Sequence, residues 1–471
     1  MKLKERIVVF VNPPIRKEEQ YGELSSVGGF DPHFGLCYLA STVRKKGYKP
    51  FIIDAPVLNY DIKKTIHIIL GLNPSYICIT ATTYAIISAI ALAMELKKKT
   101  RAKIIIGGPH FSAMPKETIE YFDIGVVNEG ESTIAELLDA LEDKKPLKNI
   151  KGIIYKSKGK IIVNKLRPFI KNLDALPMPA FDLLPEITKY YQPPVQSVIR
   201  YPFIGLISSR GCSGQCTFCD RRVFGNRLRA HSAKYLFKLI KHLVDEYKIK
   251  SFIFYDDNFL IFKKRNLELL ELIRRNKIDI KFTCLARVDM IEKEYLTKLK
   301  KGGLWQVNLG IESGSQMILD FYKKNITLKQ VKKAVDTLHS LGIRCKGFFM
   351  LGNPLETKQT LEQTRKFAKM LDLTDISITY FTPLPGSNVG PYIKKYGRII
   401  QSFDKFSMFE VVFIPKGLKK EDLEFYYRTI YKEFYLRPRI ILDYAKRINS
   451  FKQVKYFAKA LEVFSKHILR S

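Results

Sequence analysis

A chain of 471 residues is longer than one hydrophobic core normally serves, so two or three domains are expected. Apolar residues make up 46% of it, enough to build those cores and to exclude a disordered polar chain. Eighty Lys and Arg against 46 Asp and Glu give a formal charge of +34, which points either to an acidic partner (nucleic acid, an anionic membrane surface, a phosphorylated ligand) or to a generally lysine-rich composition. Seven cysteines, an odd number without a regular framework, argue against a secreted disulfide protein and for a reducing, cytoplasmic setting, and the first residues show no secretory pattern.

The first 145 residues alternate short apolar runs at 7–11, 49–53, 76–80, 103–107 and 124–127 with helical patterns such as 36–46 and 84–99. Such alternation predicts a doubly wound, Rossmann-like parallel sheet covered on both faces, with ligands outside the carboxyl ends of its strands. Residues 65–94 carry no Asp, Glu, Lys or Arg. Asn73-Pro74 interrupts that stretch, so a buried strand followed by a helix is expected there rather than a membrane span. A hairpin is expected at 150–165 around Lys158-Gly159, followed by a Pro-punctuated linker through Pro177-Met178-Pro179. The domain division is then 1–148, a hairpin and linker at 149–195, a second unit at 196–390 and a helical C-terminal module at 391–471.

Within the second unit, strand candidates at 203–208, 251–256, 281–287, 306–311, 344–351 and 376–381 are separated by helical stretches. Six βα units in a row predict a partial TIM-like barrel, whose chemistry would sit at the strand carboxyl ends. The aromatic, basic helix near 422–435 is expected to cover the barrel mouth. Lying on a membrane surface is its second reading.

The sharpest local signal follows the first strand of that barrel. In Ser209-Arg210-Gly211-Cys212-Ser213-Gly214-Gln215-Cys216-Thr217-Phe218-Cys219, three thiols share one loop. Soft thiolates select iron–sulfur clusters or zinc, and a closed structural zinc site would need a nearby fourth Cys or His, which the segment lacks. This Cys-x3-Cys-x-aromatic-Cys loop resembles the radical S-adenosylmethionine (SAM) superfamily. The resemblance implies that Cys212, Cys216 and Cys219 hold a [4Fe–4S] cluster whose open iron binds SAM, which is cleaved reductively to a 5′-deoxyadenosyl radical. An external electron donor of flavodoxin or ferredoxin type is implied with it. Carried over position by position, the SAM-binding residues would be Phe218, Asp256, Asp257, Arg287, Glu312, Ser313 and Leu351.

The first unit resembles the cobalamin-binding module fused to many radical SAM enzymes. The matching stretches are Asn12-Pro13-Pro14, Gly35-Leu36-Cys37-Tyr38, Gly107-Gly108-Pro109-His110 and Asn128-Glu129-Gly130-Glu131-Ser132. The resemblance implies that cobalamin is bound by Gly35, Leu36, Thr80, Thr82, Gly107, Gly108, Pro109, Gly130 and Glu131. In Asp31-Pro32-His33-Phe34-Gly35 the glycine stands one residue earlier than in the His-ligating pattern of corrinoid proteins, so His33 is expected not to bind the metal.

Taken together, the resemblance covers nearly the whole chain and implies a cobalamin-dependent enzyme that methylates an unactivated carbon of a small-molecule or lipid-like substrate. A radical cyclase using the same cofactors is the alternative. A third reading, an RNA-modifying or RNA-binding protein, rests on charge alone, because neither additional N-terminal cysteines nor an RNA-binding signature is present. Nucleic acid is therefore not the expected partner. A cytoplasmic protein, with peripheral membrane contact as an option, is the expected location.

Overall fold

The computed structural model describes residues 6–22, 25, 28–192 and 200–446, with 454, 458, 461, 462, 465 and 466 beyond them. Most of the C-terminal segment expected to be helical past 446 thus lies outside the described residues. Five parallel strands, β1 (Ile7–Asn12), β2 (Lys49–Asp54), β3 (Tyr76–Thr80), β4 (Lys103–Gly107) and β5 (Ile124–Val126), build the first sheet in the order β2-β1-β3-β4-β5. The hairpin β6 (Ile153–Ser157) and β7 (Lys160–Val163) extends this sheet, with β6 antiparallel to β5. Its register places Gly125 opposite Ile154, so the hairpin expected at 150–165 is an edge of the first sheet.

The alternation of side chains along each strand decides which core they join. Val8, Phe10, Cys78 and Ile105 point to one face, where they share a core with helices Phe34–Lys45 and Glu131–Glu142 and with the second sheet. Val9, Val11, Ile77, Ile79, Ile104 and Ile106 point to the other, against helices Ile62–Gly71 and Ile86–Lys97. Both faces are buried, which is why these strands read as unbroken β-branched runs rather than as an apolar–polar alternation. The uncharged stretch at 65–94 is accordingly helix, strand and helix, and no helix among the described residues is long and apolar enough to cross a membrane.

The second sheet has six parallel strands: β8 (Phe203–Leu206), then β11 (Ser251–Phe254), β12 (Lys281–Ala286), β13 (Leu304–Glu312), β14 (Arg344–Leu351) and β15 (Asp375–Tyr380), paired in chain order. Between β8 and β11 lies a small antiparallel pair, β9 (Ser209–Arg210) and β10 (Arg229–Ala230). The six-stranded array is an open arc with β8 and β15 at its edges, and the first sheet's domain shares a core with it.

The C-terminal region departs from the all-helical expectation. Strands β16 (Gly397–Ile399) and β17 (Phe413–Pro415) form a short antiparallel ladder before helices Lys420–Tyr435 and Pro438–Lys446. The first of these helices runs along the outer edge of the arc rather than over its mouth. Its Tyr427 ring stacks on Tyr380 at the end of β15, and Tyr435 Oη donates to Asp375 at the start of the same strand. Arg365 to Glu433 and Arg344 to Asp443 pin the two helices in place.

Candidate functional site

The cysteine loop is held open at its base. Asp256, at the end of β11, is completely buried, and its two carboxylate oxygens accept hydrogen bonds from the backbone and hydroxyls of Ser208 and Ser209. This fixes the turn from β8 into β9. Gly211 follows with φ +85, where a Cβ would lie 2.4 Å from the Arg227 carbonyl, so only glycine fits the first bend of the loop. The β9–β10 pair closes the other end, and Cys212 N–H donates to the Gly225 carbonyl (3.3 Å). Thr217 is tied on both sides, its N–H to the Tyr322 carbonyl and its carbonyl to the Val389 N–H.

On this loop Cys216 is buried, while Cys212 and Cys219 are half-buried. Burial, and then the charge of Asp257, push the Cys219 thiol up to about 12, and Cys212 is raised in the same direction. A thiophilic metal reverses that balance, because coordination removes the proton outright. Three thiols on one short loop match the donor set of a cluster with an open iron.

Cations surround these thiols. Arg287, just past β12, lies with the Cys212 and Cys216 sulfurs around Gly214, all three within 4 Å of where a Cβ on that glycine would be. Its guanidinium also donates to Asp289 and to the Lys324 carbonyl. Lys324 is buried and its Nζ lies 2.6 Å from Glu312 Oε1. Burial alone would lower this lysine, but Glu312 and Cys216 beside it outweigh burial and hold its ammonium above the ordinary value. Glu312 reaches it from a left-handed backbone (φ +68) at the register shift between β13 and β14, a conformation costly for a non-glycine residue and found where function holds it in place. Phe218 packs edge-on to Tyr322 (4.7 Å) with Lys324 over its ring (5.9 Å).

The structure thus gathers Phe218, Arg287 and Glu312 beside the cysteines, with the charge of Asp257 felt by two of them. It does not bring Asp256, Ser313 and Leu351 there as free groups. Asp256 is consumed by the serines, Ser313 Oγ pairs with Thr364, and Leu351 is fully buried in the core. Sequence reasoning missed Lys324, because a lysine in the basic run Lys323-Lys324 carries no sign of burial.

A cavity of about 500 Å³ opens outside the carboxyl ends of the first sheet and is roofed by Ile207, Arg210, Phe224 and Tyr255 from the second unit. Gly35, Leu36, Thr80, Gly107, Gly108, Pro109, Gly130 and Glu131 all line it, whereas Thr82 does not. Gly108 (φ +97) has no room for a side chain, since a Cβ would lie 2.6 Å from Thr80 Oγ1 and 2.9 Å from the Ala81 backbone. His33 is on the wall as well. Its Nδ1 accepts the Leu36 N–H at the start of helix Phe34–Lys45 (3.4 Å), and burial lowers its basicity.

Buried charges join the cavity to the cysteine loop. Arg210 donates to Glu129 (2.9 Å) and Glu131 (2.6 Å), and Arg229 donates to both oxygens of Glu129 (2.8 Å each). All four residues are at most 6% exposed. Arg210 is also flanked by the rings of Tyr38 and Phe224. Two oxygens on the cavity wall, Glu131 Oε2 and Asp31 Oδ1, are buried with no hydrogen bond of good geometry. A flat, largely apolar ligand with a rim of N–H donors fits this cradle: glycines where it must approach the backbone, apolar walls, and acceptors that lack donors.

Residues 206–368 match the Radical SAM superfamily and residues 24–138 the B12 binding domain. An uncharacterized methyltransferase of Pyrococcus horikoshii is 36% identical over 422 residues, spanning 88% of this chain and 90% of its own. The anaerobic magnesium-protoporphyrin IX monomethyl ester cyclase of Cereibacter sphaeroides is 26% identical, over 98% of this chain and 75% of its own. Among solved structures, the cobalamin-dependent S-adenosylmethionine radical enzyme OxsB, with aqua-cobalamin and SAM bound, is similar with a TM-score of 0.74 at 19% identity, covering 99% of this chain and 72% of that one. The radical SAM methyltransferase TsrM from Kitasatospora setae, with cobalamin and a [4Fe-4S] cluster bound, has a TM-score of 0.66 at 18% identity, over 82% and 77%. At these identities the structural likeness speaks for the fold.

Proposed function

The chain belongs to the family of radical SAM enzymes that carry a B12-binding domain, and from that premise we propose that it methylates an unactivated carbon of a small-molecule or lipid-like substrate. The observation that carries this reading is the closeness of the two cofactor seats. Arg210 lines the corrinoid cavity, and Cys212 begins the cluster loop two residues later. Tyr255 roofs the cavity, while Asp257, also two residues on, acts on the Cys212 and Cys219 thiols.

When bound, the cluster supplies the electron that cleaves SAM, and the corrinoid supplies a methyl-carrying cobalt. The chain's own residues do the positioning. Cys212, Cys216 and Cys219 would hold the cluster, Arg287 and Lys324 would offer cations to a SAM carboxylate, and Phe218 would shield that face from water. Gly107, Gly108 and Gly130 would let a corrinoid approach the backbone closely. The electron enters from a flavodoxin- or ferredoxin-type donor, an acidic protein suited to a surface with a net charge of +34. The exposed Phe425, Ile441 and Leu442 on the two C-terminal helices favour a lipid-like substrate or contact with a membrane surface.

The cyclase similarity keeps ring closure as a second reading, and product mass separates the two: methylation adds a CH₂ unit, whereas oxidative ring closure removes two hydrogens. The test is anaerobic reconstitution with iron, sulfide and hydroxocobalamin, then addition of SAM and a reductant. The wild type is expected to release 5′-deoxyadenosine, and Cys212→Ala, Cys216→Ala and Cys219→Ala to release none. Unchanged release from any of these variants would refute the cluster assignment.

A further inference from the structure

The charge of the corrinoid cavity runs against the charge of the molecule. On a chain of net charge +34, its carboxylates Asp31, Glu129 and Glu131 face a single Arg or Lys, Arg210, and burial lowers the basicity of His33. Arg210 is already spent, bonded to Glu129 and Glu131. Glu129 is further neutralised by Arg229 and by the Ile170 N–H. Glu131 keeps Oε2 without a partner, although the residue is only 5% exposed. Asp31, just before helix Phe34–Lys45, has one oxygen occupied by Tyr255 Oη (2.8 Å), while Oδ1 lies beside the Gly205 backbone N–H without a well-formed hydrogen bond.

A buried carboxylate oxygen without a donor is costly unless a ligand supplies one. A ligand carboxylate placed against the same oxygen would add like-charge repulsion in a low-dielectric setting. Resting on the corrinoid reading of this cavity, we propose that Glu131 and Asp31 select corrinoids whose peripheral side chains are amides and reject tetrapyrroles whose side chains are carboxylic acids. Amide N–H groups satisfy the unpartnered oxygens, whereas propionates and acetates oppose them.

Retention of two tail-less corrinoids after desalting, read by absorbance, separates the causes. Cobinamide keeps the amides, and cobyrinic acid carries carboxylic acids in their place. The wild type is expected to hold cobinamide at least about tenfold more tightly than cobyrinic acid. Glu131→Gln is expected to shrink that ratio at least about threefold, because it removes a charge and leaves Arg210 less neutralised. Asp31→Asn, which breaks no ion pair with Arg210, is expected to shrink it too and serves if the first variant folds poorly. Equal retention of both corrinoids by the wild type, or a ratio unchanged in Asp31→Asn, would overturn the selectivity. Retention of neither would overturn the corrinoid reading itself.

Discussion

Lys324 shows how much of a site can hide in an ordinary residue. Its ammonium is buried, 2.6 Å from Glu312, and close enough to Cys216 for the two charges to interact. A charge-assisted hydrogen bond of this kind is worth roughly 1.5–3 kcal/mol. Lys324→Met is therefore expected to raise the SAM concentration for half-maximal 5′-deoxyadenosine release by about tenfold or more. The iron–sulfur absorbance should stay intact, and Lys324→Arg should restore part of the loss. An unchanged SAM requirement would remove Lys324 from the cofactor site. The cysteines were legible because three thiols in eleven residues have few other uses, and the cavity glycines because their motifs have fixed spacing. Lys324 was not, since burial is a property of the fold and not of the residue type. Asp256 shows the converse: an acid at a strand end is equally suited to a ligand or to the backbone, and here Ser208 and Ser209 hold both its oxygens.

At the level of elements, the eleven parallel strands of the two sheets were readable to within a few residues, because strands buried on both faces leave runs of Ile, Val and Phe between polar helices. The ladder of β16 and β17 escaped notice, since three-residue strands are too short to show a period. Contacts between elements leave even less trace. His231, after β10, reaches Tyr38 Oη and Asp174 Oδ1 (both 3.2 Å) and stacks on Tyr235, so one ring ties the linker to a helix of each unit. In an unfolded chain such a histidine titrates near pH 6.5 (about the model-peptide value), whereas burial lowers it to about 4 in the fold. Between those values the unfolded chain binds more protons, so stability falls as the pH is lowered from 6.5 towards 4. His231→Gln is expected to flatten that slope by up to ~1.4 kcal/mol per pH unit, measured by urea melts across that range. Parallel slopes for the two proteins would assign the proton uptake to other groups.

For the molecule as a whole, the decisive feature is that one set of buried charges is shared between the two units. Glu129 comes from the first unit and Arg210 and Arg229 from the second, 81 and 100 residues away in sequence, a pairing no local pattern reveals. Breaking a buried pair by removing one partner costs roughly 3–5 kcal/mol. Glu129→Ala is therefore expected to lower unfolding stability by about that amount, measured by chemical denaturation, whereas Glu271→Ala, in an exposed pair with Arg274, should leave it nearly unchanged. Comparable losses in the two variants would show that the network does not hold the units together. The shared charges also bear on how such a protein can change over time. A gene fragment carrying only the second unit would leave Arg210 and Arg229 without the carboxylates that neutralise them, so a new partner would fit that face only if it brought replacements for Glu129 and Glu131 or the arginines changed with it. The two halves are thus expected to be inherited together, and the joint between them to vary more slowly than the surfaces that choose the substrate.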